Sequence, residues 1–173
     1  VESATARLPG AWCFCEGDAT AVTLLIRLAE AIGAHAGRIS PERKAAYHAA
    51  AVVACNYLVT LMDAAATLAE SAGLDRQVWL AAVEPMVRAA VENVAAIGPE
   101  TALTGPVARG DVRTVCRHLD ALAGQSESIR RLYAGCGLQA VDLARRAGRI
   151  SAEAAAELAD LFRRFIGEPG GRN

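Results

Sequence analysis

The segment from Pro41 to Ala72 constrains the fold most, because it joins strong helical signals to an almost complete lack of charge. Ser40–Pro41 is a typical helix start, with a capping residue and proline at the first helical position, and Gly73 is a typical stop. Between Ala49 and Val59 no residue is charged, and Asn56 is the only strongly polar one. A helix that is apolar on all sides belongs at the centre of a bundle or in a subunit interface. The segment therefore predicts a mainly α-helical fold organised around one long, buried helix.

The composition agrees with helices and argues against nucleic-acid and membrane partners. Hydrophobic residues make up 53% of the 173 residues and aromatic residues only 5%, and the abundant alanine favours closely packed helices over a β-sandwich. The formal net charge is −1 and no basic stripe is present, so we expect no binding to nucleic acid. No uninterrupted apolar run reaches the ~18 residues of a membrane span, so we expect no membrane association.

The cysteines and histidines indicate a reduced chain without a metal site. The five cysteines include no Cys-x-x-Cys pair, and His35, His48 and His118 are widely separated along the sequence. This spacing does not predict zinc, and a cysteine inside a helical pattern behaves as a small hydrophobic residue. We expect a cytoplasmic protein that binds no metal ion.

The first 39 residues differ from the rest, because they predict two short strands around a helix. Ala11–Cys15 and His35–Ile39 are strand-like, and Asp18 can cap a helix over Ala19–Ile32. A β-α-β unit of this size cannot close a sheet by itself. We therefore interpret residues 1–39 as the residual end of a truncated Rossmann-like domain.

Residues 40–166 predict an all-helical domain, and residues 167–173 a flexible tail. After the long helix, the pattern predicts a helical region from Asp75 that is interrupted near Pro85, followed by a loop over Gly98–Gly110. Three further helices are expected, with caps at Asp111, Ser126 and Ser151 and ends near Ala123, Ala147 and Phe165.

Three polar residues on the long helix are candidates for a functional site. On a regular helix Lys44 and His48 lie one turn apart, and Asn56 lies about 80° around the axis from His48. His48 can donate a proton or bind a carbonyl oxygen, Asn56 can orient a substrate, and Lys44 can hold a carboxylate. Alternatively Asn56 bonds to a neighbouring helix, His48 lies at a helix junction and Lys44 is solvated. A metal-dependent hydrolase would need His48 to converge with a carboxylate such as Asp63.

The loop Leu103–Asp111 is a second candidate. Its glycines and proline fix the backbone, Arg109 can clamp an anion, and Asp111 can cap the next helix. Taken alone, this segment is better explained as a structured turn between helices.

Taken together, four segments resemble a known family. They are Glu16–Asp18, Tyr47–Leu58, Glu92–Gly98 and Leu103–Asp111, in this order. This arrangement resembles the C-terminal domain of Rossmann-like proteins that carry the DUF2520 domain, which are similar to pyrroline-5-carboxylate reductase, ketopantoate reductase and 6-phosphogluconate dehydrogenase. The resemblance implies a helical bundle of the 6-phosphogluconate dehydrogenase C-terminal type, which supplies substrate contacts and a homodimer interface beside a domain that binds NADP or NAD.

The resemblance also implies roles for single residues. His48 and Asn56 would be catalytic, and Lys44, Thr104 and Arg109 would bind a small-molecule substrate, a carbonyl or imine acid of which ketopantoate is the first to test. No Gly-x-Gly-x-x-Gly is present, so we expect no cofactor in this fragment and no activity without the cofactor domain. The alternative from a different class is a non-catalytic helical dimerisation module.

Overall fold

The computed structural model describes residue 6 and residues 8–167, so the predictions for 1–5, 7 and 168–173, including most of the tail, lie outside the described residues. The chain divides into two compact units, residues 1–65 and residues 66–173. In chain order the elements are β1 (Trp12–Cys15), α1 (Ala19–Ala31), β2 (His35–Arg38), α2 (Pro41–Ala51), a π-helical segment (Val52–Asn56), α3 (Tyr57–Ser71), α4 (Arg76–Ala102), α5 (Gly105–Ala108), α6 (Val112–Leu122), α7 (Glu127–Arg146) and α8 (Ala152–Phe165). The described fold is mainly helical, as predicted.

The first unit contains the predicted β-α-β arrangement. β1 and β2 pair in parallel, with Trp12 opposite His35, and α1 connects them. The Asp18 carboxylate starts α1, because it accepts hydrogen bonds from the backbone N–H groups of Thr20 and Ala21 at 3.0 and 2.9 Å. Parallel strands need a crossover connection of this kind. Both predicted strands are confirmed to within one residue at each end.

One face of this sheet carries exposed aromatic side chains. Trp12 and Phe14 have stacked rings with centroids 5.8 Å apart, and the His35 ring lies 5.1 Å from that of Trp12. Opposite Phe14, Gly37 leaves little room for a side chain, since a Cβ there would lie 3.1 Å from the Phe14 ring. The Tyr47 ring of α2 lies 5.0 Å from Phe14. This contact packs α2 against β1.

The predicted long helix forms over Pro41–Ser71, with two differences. The π-helical segment, called the π-segment below, interrupts the regular α-helix in its middle. Ser40 occupies the N-cap position as predicted, but its side chain makes no capping hydrogen bond. The sequence could not predict the π-segment. A π-helical turn rotates the residues that follow it around the helix axis, and where all sides of a helix are apolar this rotation does not change the hydrophobic pattern.

The expectation that this helix is buried is wrong for the described structure. No residue of α2 or of the π-segment is buried. Val53, Tyr57 and Val59 are 61%, 52% and 70% exposed. Removing apolar side chains from water is favourable, but the sequence does not indicate whether the same chain or another molecule covers them. The described residues of the first unit leave this surface open.

The same helix is long and apolar enough to cross a membrane, judged by length and composition alone. Its most apolar 18-residue window has a mean hydropathy of 1.6 and is 6% buried. The sequence prediction considered only uninterrupted apolar runs. His48, Asn56 and Thr60 interrupt the run, but they are uncharged, so the helix as a whole is still apolar enough. The expectation of no membrane span is therefore replaced by one weak candidate, since apolar helices of soluble proteins meet the same criterion.

The second unit has a hydrophobic core formed by α5, α6, α7 and α8. Its buried members are Val107, Val115, Leu119, Ala134, Val141, Ala155, Leu158 and Phe162. Phe162 is 1% exposed, and its ring lies directly against Gly137 of α7. The predicted caps Asp111, Ser126 and Ser151 each accept a hydrogen bond from the first turn of α6, α7 and α8 respectively. These helix starts are confirmed.

The prediction for α4 is corrected at two points. The helix continues through Pro85, where proline removes one backbone donor without ending the helix. The helical backbone breaks at Gly98, where the predicted loop begins, with a φ of 76° that is readily adopted only by glycine. The loop predicted over Gly98–Gly110 also contains the end of α4 and the short helix α5. Pro99 and Pro106 each follow a glycine and preset the backbone for a first helical turn, which explains both short stretches.

Candidate functional site

An ion pair lies just outside the carboxyl end of β1. Glu16 follows the last residue of this strand, and its Oε1 accepts a hydrogen bond from Lys44 Nζ of α2 at 2.5 Å. The carboxyl ends of parallel strands are where α/β sheets bind their ligands. Lys44 is therefore placed where a ligand would be expected, but its ammonium group already has a carboxylate partner. A substrate carboxylate would have to share Lys44 with Glu16.

Glu16 belongs to a segment that carries the family resemblance, but its ion pair with Lys44 was not predicted from the sequence. Its side chain is 28% exposed, and its second oxygen, Oε2, is buried without a hydrogen-bond partner among the described residues. A buried carboxylate oxygen without a partner is unfavourable. The position of a carboxylate directly after a predicted strand was the signal that could have identified it.

His48 follows the residue that packs α2 onto the sheet. The ring of Tyr47 contacts Phe14, so the backbone of α2 is held against the sheet next to His48. His48 itself is exposed, and none of the described residues forms a hydrogen bond with its side chain. The alternative that His48 is satisfied at a helix junction is therefore not realised within the described structure.

The π-segment changes the angular relation between His48 and Asn56. The backbone N–H of Tyr57 donates to the carbonyl of Val52, five residues earlier, instead of to a carbonyl four residues earlier. One turn thus contains one additional residue, which rotates all later residues back by about one residue step, or ~100°. In a regular helix Asn56 would lie about 80° from His48; across the π-segment it lies about 20° from His48, on the other side.

Lys44, His48 and Asn56 consequently share one face of the helix. Lys44 lies about 40° and Asn56 about 20° from His48, in the same direction around the axis. His48 and Asn56 are two turns apart, a rise of roughly 12 Å, so their side chains can approach the two ends of one small molecule. Asn56 is exposed and has no hydrogen-bond partner among the described residues. The predicted angle of about 80° between His48 and Asn56 is therefore corrected, because the π-segment reduces it to about 20°.

Thr104 and Arg109 belong to the second unit. Thr104 is exposed at the N-cap position of α5, and its side chain makes no capping hydrogen bond. Arg109 is exposed at the other end of α5, close enough to Asp111 for its charge to act on that carboxylate. The pKa of Asp111 is lowered, chiefly by hydrogen bonds from Thr114 and to a smaller extent by Arg109. The two groups of predicted site residues thus lie in different units, each described by itself.

Arg149 holds the loop that carries Thr104. Its guanidinium Nη1 donates to the carbonyl of Leu103, and the carbonyl of Thr101 lies 3.5 Å from the same nitrogen. These carbonyls lie where α4 ends, so they have no partners within the helix. Sequence reasoning did not single out Arg149, because its partners lie 46 and 48 residues earlier in the chain.

The second unit also contains a histidine–tyrosine pair that was not predicted. His118 Nδ1 lies 2.8 Å from the hydroxyl oxygen of Tyr133, and burial raises the pKa of this tyrosine. The Tyr133 ring lies 6.1 Å from that of Phe162 in the core. The pair therefore connects an exposed histidine to the hydrophobic core of this unit.

The described fold and site define a mainly helical domain with a short parallel sheet and a polar helix face near the sheet's carboxyl end. Residues 11–140 match the family described as "Domain of unknown function (DUF2520)". This match covers 130 of the 173 residues, and the chain therefore belongs to the DUF2520 family. No curated protein and no solved structure matched the chain. Membership of the family is confirmed; the relation to named reductases stays a prediction.

Proposed function

We propose that this chain is the substrate-binding and dimerisation part of an NAD(P)-dependent oxidoreductase that reduces a small carbonyl or imine acid. The main support is the shared face of Lys44, His48 and Asn56 on a mainly apolar, exposed stretch of helix. Two of these side chains have no partner in the described structure, although polar groups on an apolar surface that becomes covered need partners. A bound polar substrate would supply them.

The chemistry assigned to these residues is proton donation and orientation. When bound, a reduced nicotinamide supplies a hydride to the carbonyl or imine carbon. The oxygen or nitrogen of that group then needs a proton, and we assign its donation to His48. The Asn56 amide can orient the acid and Lys44 can bind its carboxylate, while the substrate contacts of Thr104 and Arg109, which belong to the other unit, stay predictions. The chain contains no glycine-rich dinucleotide-binding motif, so the proposal requires that residues outside such a motif bind NADP or NAD.

The exposed side of the long helix supports a homodimer. Val53, Tyr57 and Leu61 are exposed large hydrophobic residues that follow each other at intervals of four residues along the helix. Contiguous exposed apolar surface is rare on soluble monomers and marks interaction sites. A second copy of the chain would cover this surface and leave the polar face to line a cleft. We propose a homodimer on this basis, and the cytoplasmic location stays a prediction.

The test is kinetic, on the protein expressed from its complete reading frame. NADPH and NADH oxidation would be measured with ketopantoate, other 2-oxo acids and cyclic imino acids. His48→Ala should lower kcat/KM by about 10²–10⁴-fold, the usual contribution of a positioned proton donor. Asn56→Ala should lower it by at least about tenfold, equivalent to one lost hydrogen bond of ~1.4 kcal/mol.

Matched controls separate the site from general damage. Asn93→Ala removes another exposed asparagine, on α4, and His118→Gln removes the histidine bonded to Tyr133. Both should leave kcat/KM within a few-fold of wild type. Unchanged kcat/KM in His48→Ala and Asn56→Ala would show that the site is misassigned.

The second candidate function is a non-catalytic helical dimerisation module. The same exposed apolar residues favour it, since they require a partner but no substrate. A dimeric protein that oxidises neither NADPH nor NADH with any acid in the panel would support this function instead of the reductase.

A further inference from the structure

The polar side chains of the long helix form a single stripe only because of the π-segment. From Lys44 to Asp63 the polar positions facing one side are Lys44, His48, Asn56, Thr60 and Asp63, called the polar stripe below. With the additional residue in the π-segment, these positions fall within about 60° of arc around the helix axis. In an uninterrupted α-helix the same residues would spread over about 160°.

Between Lys44 and Asp63 the other residues are apolar, apart from the hydroxyl groups of Tyr47 and Tyr57. Ala50 and Leu58 lie opposite the stripe, and Leu61 lies about 120° from His48. The π-segment thus converts a stretch of weak amphipathicity into a helix with one narrow polar face. Because π-helical turns are rare and cluster at functional sites, this phase change calls for a functional explanation.

We propose that the π-segment is a positioning element that sets the phase of Asn56 and Thr60 relative to His48, and that Thr60 is a further substrate-binding residue. This inference rests on the proposed reductase function. Thr60 lies one turn beyond Asn56 on the stripe, a rise of about 6 Å, so one small acid can contact both. The Thr60 hydroxyl donates to the carbonyl of Tyr57 at 2.9 Å, which fixes its oxygen and leaves lone pairs to accept a hydrogen bond from a ligand.

Variants that lack or gain one residue test whether the angular position of Asn56 and Thr60 relative to His48 matters for activity. Deletion of Ala54 removes the additional residue, so the segment can close as a regular α-helix while Asn56 and Thr60 keep their angles to His48. This variant should retain kcat/KM within about threefold of wild type. Insertion of one alanine after Ala54 rotates Asn56 and Thr60 away by about 100° and should lower kcat/KM at least about tenfold.

A rescue variant distinguishes the rotation of the asparagine around the helix axis from disruption of the helix. In the insertion variant, exchanging the neighbouring residues by Cys55→Asn and Asn56→Cys returns an asparagine to the face of His48. This exchange should restore part of the lost kcat/KM, whereas a disrupted helix would not be repaired by it. Circular dichroism and the affinity for NADPH should be unchanged in all three variants.

Thr60 is tested by substitutions that change its hydroxyl. Thr60→Val should raise KM by about five- to tenfold with little change in kcat, and Thr60→Ser should restore KM, since a ground-state contact is lost and regained. The matched control is Thr23→Val on α1, because Thr23 is also an exposed helical threonine whose hydroxyl donates to a backbone carbonyl, at 2.7 Å.

The outcomes distinguish this inference from the proposed function. An active wild type whose insertion variant is equally active, or whose folded deletion variant is inactive, overturns the positioning role alone. An unchanged KM in Thr60→Val overturns the role of Thr60. A wild type that reduces no carbonyl or imine acid removes the proposed function and this inference together.

Discussion

Gly137 of α7 lies directly against the ring of Phe162 of α8. A Cβ at position 137 would lie 2.5 Å from two ring atoms of Phe162, which is 1% exposed and cannot move into solvent. Gly137→Ala should therefore lower the free energy of unfolding by about 1–3 kcal/mol, the usual effect of overpacking a core. Urea denaturation followed by circular dichroism measures this change.

Gly135 provides the control within the same helix. No heavy atom lies within 4 Å of a Cβ placed there, so Gly135→Ala should raise the free energy of unfolding by about 0.5–1 kcal/mol through helix propensity. If both substitutions change stability in the same direction, the close contact between α7 and α8 is not as described.

Local capping chemistry was predictable from the sequence, whereas long-range pairing was not. Asp111, Ser126 and Ser151 were predicted as caps, and each accepts the expected hydrogen bond, because the partners lie within three residues. The partner of Lys44 is Glu16, 28 residues earlier. Nothing in the spacing of residues on one helix indicates which residue of another element will face it.

At the scale of elements, Arg149 controls the junction between α4 and α5. Arg149→Met keeps the aliphatic part of the side chain but removes the donor to the Leu103 carbonyl. The loss of one exposed, charge-assisted hydrogen bond should speed amide exchange at Gly110 and Asp111, which donate to carbonyls of α5, by roughly three- to tenfold. Hydrogen exchange detected by NMR would measure these rates.

Arg146→Met is the matched control, since it removes an exposed ion pair to Asp142 at 3.0 Å on the same end of α7. Exchange at Gly110 and Asp111 should be the same in this variant as in wild type. If both substitutions speed amide exchange at these two residues equally, Arg149 acts only through its positive charge and not through its hydrogen bond.

Most elements were predictable from the sequence, and the exceptions have physical causes. Strands, caps and the long helix follow from local patterns. Pro85 suggested a break, but α4 continues through it because proline removes only one backbone donor, whereas the break at Gly98 lies where the glycine predicted the helix to end. The π-segment was invisible because the surrounding residues are almost all apolar. For this reason the common face of His48 and Asn56 could not be predicted.

At the scale of the whole molecule, the uncovered apolar surface of the long helix is the main unexplained property. Val53 and Leu61 are 61% and 37% exposed, and both lie on the side away from His48. In a two-fold symmetric dimer the same surface of each copy is buried, and a stable interface covers roughly 1,200–2,000 Å² in total. Such an interface can cover this helix without covering the polar stripe.

The double variant Val53→Lys, Leu61→Lys should therefore be monomeric under conditions where the wild type is dimeric, because desolvating lysines within an apolar interface is unfavourable. Light scattering coupled to size-exclusion chromatography would measure the mass. Glu157→Lys is the control, because it changes the net charge by the same amount at an exposed position of α8 and should leave the dimer intact. A wild type that is strictly monomeric in aqueous buffer would contradict the interface. If it is instead extracted only by detergent, the long helix is a membrane span, and the two lysines should then weaken membrane association instead of dimerisation.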